Sequence, residues 1–417
     1  MKVCIHRGSK EIGGTCIEIE AQGQRMVLDV GLPLDAMDPL HFPLPLVKGF
    51  DKPDPSLLAV VISHPHQDHY GLAHRLPKAT KFLIGKAADR ILTAAEVFSP
   101  AGIELQNVRY LADRKPMQIG PFTITPYLVD HSAFDAYAVL VEADGKTLFY
   151  TGDLRAHGRK AALFHKLLRL PPRHVDVLLM EGTTLGREDG GKGFATETDL
   201  EGQFVTLFKE TDGMPLVWCS GQNIDRMVTI LRACIRAERT PILDMYTAHV
   251  LQATGNKSIV GACNEHMRVF LPEFQKRRVK RRGDFNVSKR YSKWRIYDPE
   301  LRAKAPYSVM VFRPSMMQDV EKAGCLNGAR LIYSMWRGYL DDRKQKPFLD
   351  WLKQREIPLV HCHTSGHASV GDLMKLRKRF SAAPVVPIHT EQPGRYEEVF
   401  GNVQRHKDGE WWEVDHV

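Results

Sequence analysis

The chain has 417 residues, more than one hydrophobic core usually serves, so we expect two domains. Its apolar content of 43% and charged content of 26% are ordinary for a globular protein, and no apolar run is long enough to predict a membrane span or a membrane partner. The seven cysteines have no CxxC spacing, and the first residues lack the apolar stretch of a signal peptide. Together these features predict a reduced, cytoplasmic protein.

The net charge of +9 is concentrated in one segment, residues 276–295, which carries ten basic side chains and a single acid. Three aromatic residues are interleaved with these charges, as is typical of a surface that binds a polyanion. The candidate polyanion-binding residues in this segment are Arg277, Arg278, Arg281 and Arg282. The alternative is a solvated loop without a partner.

The first predicted elements are short strands at Val3–His6, Thr15–Glu20 and Arg25–Asp29. A buried Asp29 could hydrogen-bond a metal-binding loop without contacting the metal, or it could be a plain turn residue. The proline-rich residues 32–56 predict an irregular loop, and the apolar run 57–62 predicts a buried strand.

Directly after this strand come His64, His66, Asp68 and His69, written His-x-His-x-Asp-His. The first two imidazoles can point the same way from an extended loop, while the other two side chains enter the next turn. This arrangement suits two metal ions roughly 3.5–4 Å apart. The quartet therefore predicts a hydrolytic metal site at the end of a core strand.

Further ligands follow two later strands. The pattern predicts a helix over 86–98 and strands over 122–128, 136–142, 147–151 and 175–180, with His131 and Asp153 just past the first and third of these. One metal would take His131 together with the first two imidazoles of the quartet, the other would take the rest of the quartet, and Asp153 could bridge both. This donor set favours zinc, with manganese as the alternative.

From about residue 196 the pattern changes to alternating helices and strands, which predicts a parallel α/β arrangement. Three strand ends flank this block with polar side chains: Glu181 before it, and His367 and His389 after it. Ser220, His363, Ser365 and Gly366 lie at turns that lead into helices, where backbone N–H groups bind phosphate readily.

In this order, Asp29, the quartet, His131 and Asp153 resemble the motifs of the metallo-β-lactamase fold hydrolases. The acid and two histidines that flank the middle block resemble motifs A, B and C of the β-CASP subfamily, of the RNase J and cleavage-and-polyadenylation nuclease type. The resemblance implies an α/β fold with a four-layer αββα core and an inserted parallel α/β β-CASP cap. It places the core at 1–183 and 356–417 and the cap at 184–355.

The resemblance also implies that His389 completes the second metal site, and a histidine at motif C is typical of RNA-cleaving members. The expected activity is a metal-dependent ribonuclease in which an activated hydroxide attacks the phosphodiester of single-stranded RNA. Asp68, Glu181 and His367 are the predicted catalytic residues, with the Glu181/His367 pair protonating the leaving group. Where RNase J has a Gly-Ser-Gln-Gly-Glu-like turn, this chain has residues 333–339, so the exo or endo mode is not predicted.

Two alternatives stay open at this point. The first is a hydrolase of the same fold that acts on DNA ends or a small ester, and the second is a catalytically silent RNA-binding protein. A small-molecule hydrolase needs neither the basic segment nor His389, and the complete ligand set argues against a silent protein. The oligomeric state is not predicted.

Overall fold

The computed structural model describes residues 1–36, 38, 40–99, 102–187, 193–259 and 265–416. The strands are, in chain order, β1 Lys2–Arg7, β2 Cys16–Ala21, β3 Gln24–Leu28, β4 Leu57–Val61, β5 Phe82–Gly85, β6 Val108–Leu111, β7 Met117–Ile119, β8 Phe122–Val129, β9 Ala136–Ala143, β10 Lys146–Tyr150, β11 Val177–Glu181, β12 Pro215–Trp218, β13 Thr240–Asp244, β14 Arg268–Phe270, β15 Ser308–Phe312, β16 Arg330–Tyr333, β17 Leu359–His361, β18 Val385–Ile388 and β19 Trp411–Glu413.

The α-helices are α1 Gln67–Tyr70, α2 Lys86–Glu96, α3 Ala161–Arg169, α4 Glu197–Lys209, α5 Ile224–Arg236, α6 Met245–Ala253, α7 Glu273–Arg282, α8 Phe285–Arg290, α9 Asp298–Lys304, α10 Met317–Ala323, α11 Lys346–Gln354, α12 Val370–Arg379 and α13 Tyr396–Phe400. Within the described part of the chain, none of them combines the length and apolar character that crossing a bilayer requires.

The chain divides into two compact units. The core unit comprises Met1–Leu92, Ile103–Phe194 and Gly366–Val417, and the inserted unit comprises Thr93–Gly102 and Ala195–Ser365. These boundaries lie about ten residues later than the expected breaks at 183/184 and 355/356. The short stretch 93–102, which includes the end of α2, was not expected to belong to the inserted unit.

Two sheets form the middle of the core unit. One has the strand order β19-β1-β2-β3-β4-β5-β6, and the other has the order β18-β11-β10-β9-β8-β7. Their facing sides share one hydrophobic cluster that includes Ile17 and Val61 from the first sheet and Val139 and Leu179 from the second. Because successive side chains of a strand point to opposite faces, the remaining apolar residues of each sheet lie on its outer face.

Helices cover both outer faces. Leu92 of α2 packs in the cluster on the outer face of the first sheet, with Val60 and Ile84. On the second sheet, Phe164 of α3 and Leu373 of α12 pack in one cluster. The order of layers is therefore helix, sheet, sheet, helix, and the predicted αββα core is confirmed.

The inserted unit is built on a single sheet with the order β14-β13-β15-β12-β16-β17. All of its neighbouring strands run parallel, as the alternation of helix and strand predicts. Its core includes Leu216, Met310 and Leu331 from the strands and Phe348 and Leu352 from α11.

The basic segment is helical. Residues 273–282 form α7 and residues 285–290 form α8, with Gly283 between them in the left-handed conformation at φ +74°. Gly283 ends α7 as a helix C-cap, a place where a left-handed residue is common and glycine has no Cβ to strain.

Candidate metal centre

The candidate ligands all lie at strand ends of the core unit. His64 and His66 follow β4, and Asp68 and His69 lie in the short helix α1. His131, Asp153 and His389 follow β8, β10 and β18. Because the two packed sheets bring the ends of these strands to one edge of the core unit, residues more than 300 positions apart in the sequence meet there.

Asp153 lies at the centre of this cluster. Its Oδ2 atom is 3.2 Å from His69 Nε2, 3.6 Å from His389 Nε2, 3.7 Å from His64 Nε2 and 4.0 Å from His131 Nε2. Apart from the 3.2 Å contact with His69, these distances are too long for good hydrogen bonds, and the spacing of the atoms leaves room for a cation among them.

The hydrogen-bonding of these atoms tests whether the residues fit a metal. Both carboxylate oxygens of Asp153 and the Nε2 atoms of His64, His69 and His389 are buried, and they have no hydrogen-bond partner among the described residues. Leaving such groups unpaired is costly, and a divalent ion that accepts lone pairs from all of them removes the cost. The donor set fits zinc, which takes imidazole and carboxylate ligands.

Among the residues that the structure describes, three combinations of ligand atoms lie close enough to share an ion, within 4.8 Å of one another: His64, His66 and His131; Asp68, His69, Asp153 and His389; and His131, Asp153 and His367. The first two bring together the side chains that the sequence analysis assigns to each of two metals. The third places a ring nitrogen of His367 close enough to His131 and Asp153 to share an ion with them.

The protonation of the imidazoles matches metal binding. Burial lowers the pKa of His64 and of His131 well below the ordinary value, and it lowers the pKa of His66 to about 4. These rings are therefore neutral at pH 7, as ligation requires. His69 is the exception, because Asp153, Asp29 and Asp68 overcome the effect of burial and raise its pKa.

Asp29 supports the quartet through hydrogen bonds. Its Oδ1 atom accepts from the Ser63 backbone N–H at 2.7 Å, and its Oδ2 atom accepts from Ser63 Oγ at 2.7 Å, His69 Nδ1 at 2.8 Å and Tyr150 Oη at 2.7 Å. A proton on Nδ1 leaves His69 Nε2 free to bind a metal. Asp29 adopts a left-handed conformation, φ +58°, which Asp and Asn tolerate better than most residues. This geometry matches the predicted supporting role of Asp29.

Other supporting contacts were not predicted. Thr15 Oγ1 lies 3.0 Å from His389 Nδ1, and Nε2 of the same ring faces Asp153. The buried Asp130 accepts from the Gly158 N–H at 2.7 Å and fixes the turn that carries His131. A polar group at the end of an apolar strand is the one feature shared by Thr15, Tyr150 and Ser63. Many core residues share this feature, so it does not identify a supporting residue from the sequence.

Glu181 and His367 form the predicted pair. His367 Nδ1 lies 3.3 Å from Glu181 Oε2 and 3.7 Å from Asp153 Oδ2. Although burial opposes the charged form, Glu181 and Asp153 raise the pKa of His367 above its ordinary value. Its side chain is 21% exposed, whereas that of Glu181 is 1% exposed, so the imidazole is the member of the pair that a substrate can reach.

The predicted phosphate-binding residues fall in both units. In the inserted unit, Ser220 Oγ accepts from the Gln222 N–H at 3.3 Å, and His363 Nδ1 lies 3.4 Å from Nη1 of the buried Arg226. Burial lowers the pKa of His363 to about 3, so the ring is neutral. Ser365 also belongs to the inserted unit.

Gly366 belongs to the core unit. A side chain on Gly366 would meet Ser132 Oγ at 2.5 Å, which explains the glycine by packing alone.

Three of the four predicted arginines already have partners within the inserted unit. Arg282 pairs with Glu96 at 2.7 Å, and Arg277 pairs with Glu273 at 3.1 Å. Arg278 donates to the carbonyl oxygens of residues 96 and 97, each at 3.0 Å. Among the described residues, Arg281 makes no hydrogen bond or ion pair.

Two family models match the chain. Residues 28–207 match the beta-lactamase superfamily domain, and residues 358–394 match the Zn-dependent metallo-hydrolase RNA specificity domain. In these two segments the chain is therefore similar to metallo-hydrolases.

The ribonuclease J of Helicobacter pylori is 24% identical over 239 residues, and that of Mycobacterium tuberculosis is 25% identical over 254 residues. These matches cover 56% and 57% of this chain but only 34% and 43% of the relatives, so the chain spans less than half the length of either. They confirm the predicted relationship to RNase J-type nucleases.

A solved structure from Enterococcus faecalis V583, described as a protein of unknown function, has a TM-score of 0.78 over 99% of both chains at 22% identity. At this identity the likeness establishes the fold alone.

Proposed function

We propose that the chain is a metal-dependent ribonuclease that hydrolyses phosphodiester bonds of single-stranded RNA. The observation that carries the proposal is the group of buried, unpaired donor atoms around Asp153. The match of residues 358–394 to an RNA specificity domain and the similarity to ribonuclease J support RNA as the substrate.

Two divalent ions, which we propose to be zinc, would be held by seven residues: His64, His66, Asp68, His69, His131, Asp153 and His389. Asp153 would contribute to both ions. When bound, such ions supply a water nucleophile of lowered pKa and offset the charge that develops on the phosphate. Burial keeps the imidazoles of His64, His66 and His131 neutral, and Asp29 directs Nε2 of His69 toward the ions.

Glu181 and His367 would serve the leaving group. The Glu181 carboxylate accepts from His367 Nδ1 and orients the ring, so Nε2 can present a proton to the leaving oxygen. Glu181 is itself held by the backbone N–H groups of Leu154 at 3.2 Å and Thr183 at 3.1 Å. Both of these hydrogen bonds come from the backbone, so they hold the Glu181 carboxylate in place without a further side chain.

The test is a cleavage assay on matched single-stranded RNA, single-stranded DNA and a small ester, with zinc or manganese added. We expect cleavage of the RNA, abolished by Asp68→Ala and by His367→Ala but not by His41→Ala, whose exposed imidazole lies outside the cluster. Thermal unfolding of each variant checks that the fold is retained. Undiminished RNA cleavage by the Asp68→Ala protein would rule out this site, and cleavage of only the DNA or the ester would replace RNA as the substrate.

A further inference from the structure

A pocket separate from the candidate metal centre lies in the core unit, beside the loop that joins β1 to β2. It has a volume of about 780 Å³, within the range of pockets that bind small ligands, and its walls include Pro387 and Pro393. Ser9 and Lys10 line it from the loop. The proposed hydrolysis uses none of these residues.

The lining of this pocket is basic. Lys10, Arg405 and Lys407 contribute three positive charges, against the single acid Asp408. Asp408 accepts from the Ser9 backbone N–H at 3.2 Å, and Arg405 pairs with Glu397 at 3.0 Å. Lys10 and Lys407 are exposed, and their ammonium groups have no ion-pair partner among the described residues. Two cations are therefore available to a ligand.

His406 adds a fixed polar group to the same wall. Its ring stacks on Trp412, with centroids 4.2 Å apart and an angle of 5° between the planes. Burial lowers its pKa, so the ring is neutral, and its Nε2 atom is buried without a hydrogen-bond partner among the described residues. Buried polar atoms are nearly always paired, so this one calls for a water molecule or a ligand.

The loop that lines the pocket also contacts the metal cluster. Gly8 O accepts from the His389 N–H at 2.7 Å, and Gly13 N donates to His389 Nδ1 at 3.3 Å. Lys10 is three residues from Gly13, so their Cα atoms lie within about 11 Å of each other. A nucleic acid strand at the cluster can therefore reach the pocket.

We propose that this pocket binds a phosphate-bearing ligand of nucleotide size, through Lys10, Lys407 and His406. The phosphate could belong to the RNA strand, an assignment that rests on the proposed function, or to a free mononucleotide. The shared chemistry is an anionic phosphate held by two ammonium groups, with an apolar wall of proline rings beside it.

The test compares the Lys10→Ala/Lys407→Ala protein with a charge-matched control, Lys52→Ala/Lys81→Ala, whose two lysines are also exposed and without an ion-pair partner among the described residues. Binding of uridine 5′-monophosphate and of uridine is measured by calorimetry, and binding of a short oligouridylate is measured across a range of salt concentrations. Neither readout depends on cleavage, so a failure here is separate from a failure of the proposed ribonuclease.

If the pocket takes a free nucleotide, the wild type binds the monophosphate but not uridine, and only the pocket variant binds at least about tenfold more weakly. If it takes the RNA strand, only the pocket variant lowers the salt slope of oligouridylate binding, by about 1.4 for two lost phosphate contacts. If both protein variants match the wild type in both measurements, the pocket is not a phosphate site.

Discussion

Exchanging the carboxylate of Asp29 for an amide tests how the centre selects the metal-binding form of His69. Asn tolerates the left-handed backbone found at this position, so Asp29→Asn keeps the chain path. If the Asn oxygen keeps the Ser63 N–H bond, its NH₂ group faces His69 Nδ1 and can only donate. That nitrogen must then accept, which moves the proton to Nε2, the atom 3.2 Å from Asp153.

The magnitude follows from this change of tautomer. The hydroxyls of Ser63 and Tyr150, each 2.7 Å from Asp29 Oδ2, can rotate and accept from the new amide. The free energy of unfolding should therefore change little. His69 Nε2 cannot bind a metal while it carries a proton. Loss of such a supporting partner typically weakens metal binding by about 10–100-fold, or about 1.4–2.7 kcal/mol.

Zinc affinity is measured by dialysis against zinc buffers of graded free concentration, followed by metal analysis. The matched control is Tyr150→Phe, which removes one donor to Asp29 but leaves the tautomer of His69 unchanged. We expect the zinc affinity of the Tyr150→Phe protein to stay within about threefold of the wild type, because Asp29 still fixes the tautomer of His69 in this protein. Equal zinc affinity of the Asp29→Asn protein and the wild type would refute the reasoning.

Three further predictions concern the fold and the basic segment. Gly31→Ala would place a Cβ 1.8 Å from the backbone carbonyl oxygen of Asp68 in the helix that carries two of the ligands. We therefore expect the free energy of unfolding to fall by about 3 kcal/mol in a denaturant titration, and zinc retention to fall with it. The control is Gly202→Ala, where the added Cβ meets open space, and we expect it to be neutral or stabilising in the same titration. Arg226→Ala removes the cation that pairs with the buried carboxylate of Glu197 and should lower the free energy of unfolding by about 3–5 kcal/mol in chemical unfolding. Arg281→Ala should weaken RNA binding without changing the melting temperature, while Arg282→Ala should lose up to about 1 kcal/mol of stability; the reverse pattern would contradict the assigned contacts.

The sequence was informative wherever the signal was local. The ligand quartet directly follows an apolar run, and the later ligands follow strands whose apolar pattern is clear, so their meeting at a sheet edge could be predicted. The short strands β5, β6 and β7 were not predicted, because three or four residues carry too little periodicity. Nor could the sequence show that residues 93–102 pack with the inserted unit, since that depends on contacts far along the chain.

The same limit applies to the roles of single residues. A run of arginines indicates charge but not its partner: Arg278 and Arg282 bind groups of residues 96 and 97, nearly 200 positions earlier. Tyr150 in an apolar strand is indistinguishable by pattern from a core aromatic, yet its hydroxyl bonds Asp29. Such contacts follow from which strands become neighbours, and no local pattern encodes that.

The parallel pairing of β11 with β18 also decides when, during synthesis, the centre can exist. Leu178 pairs with Val385 and Glu181 with Ile388, so the strand beside β11 is made about 200 residues after it. Until then β11 presents an unpaired, apolar edge, a template for aggregation. A nascent chain that has completed the quartet still lacks His389. The proposed hydrolysis would therefore begin only after the last strands have docked.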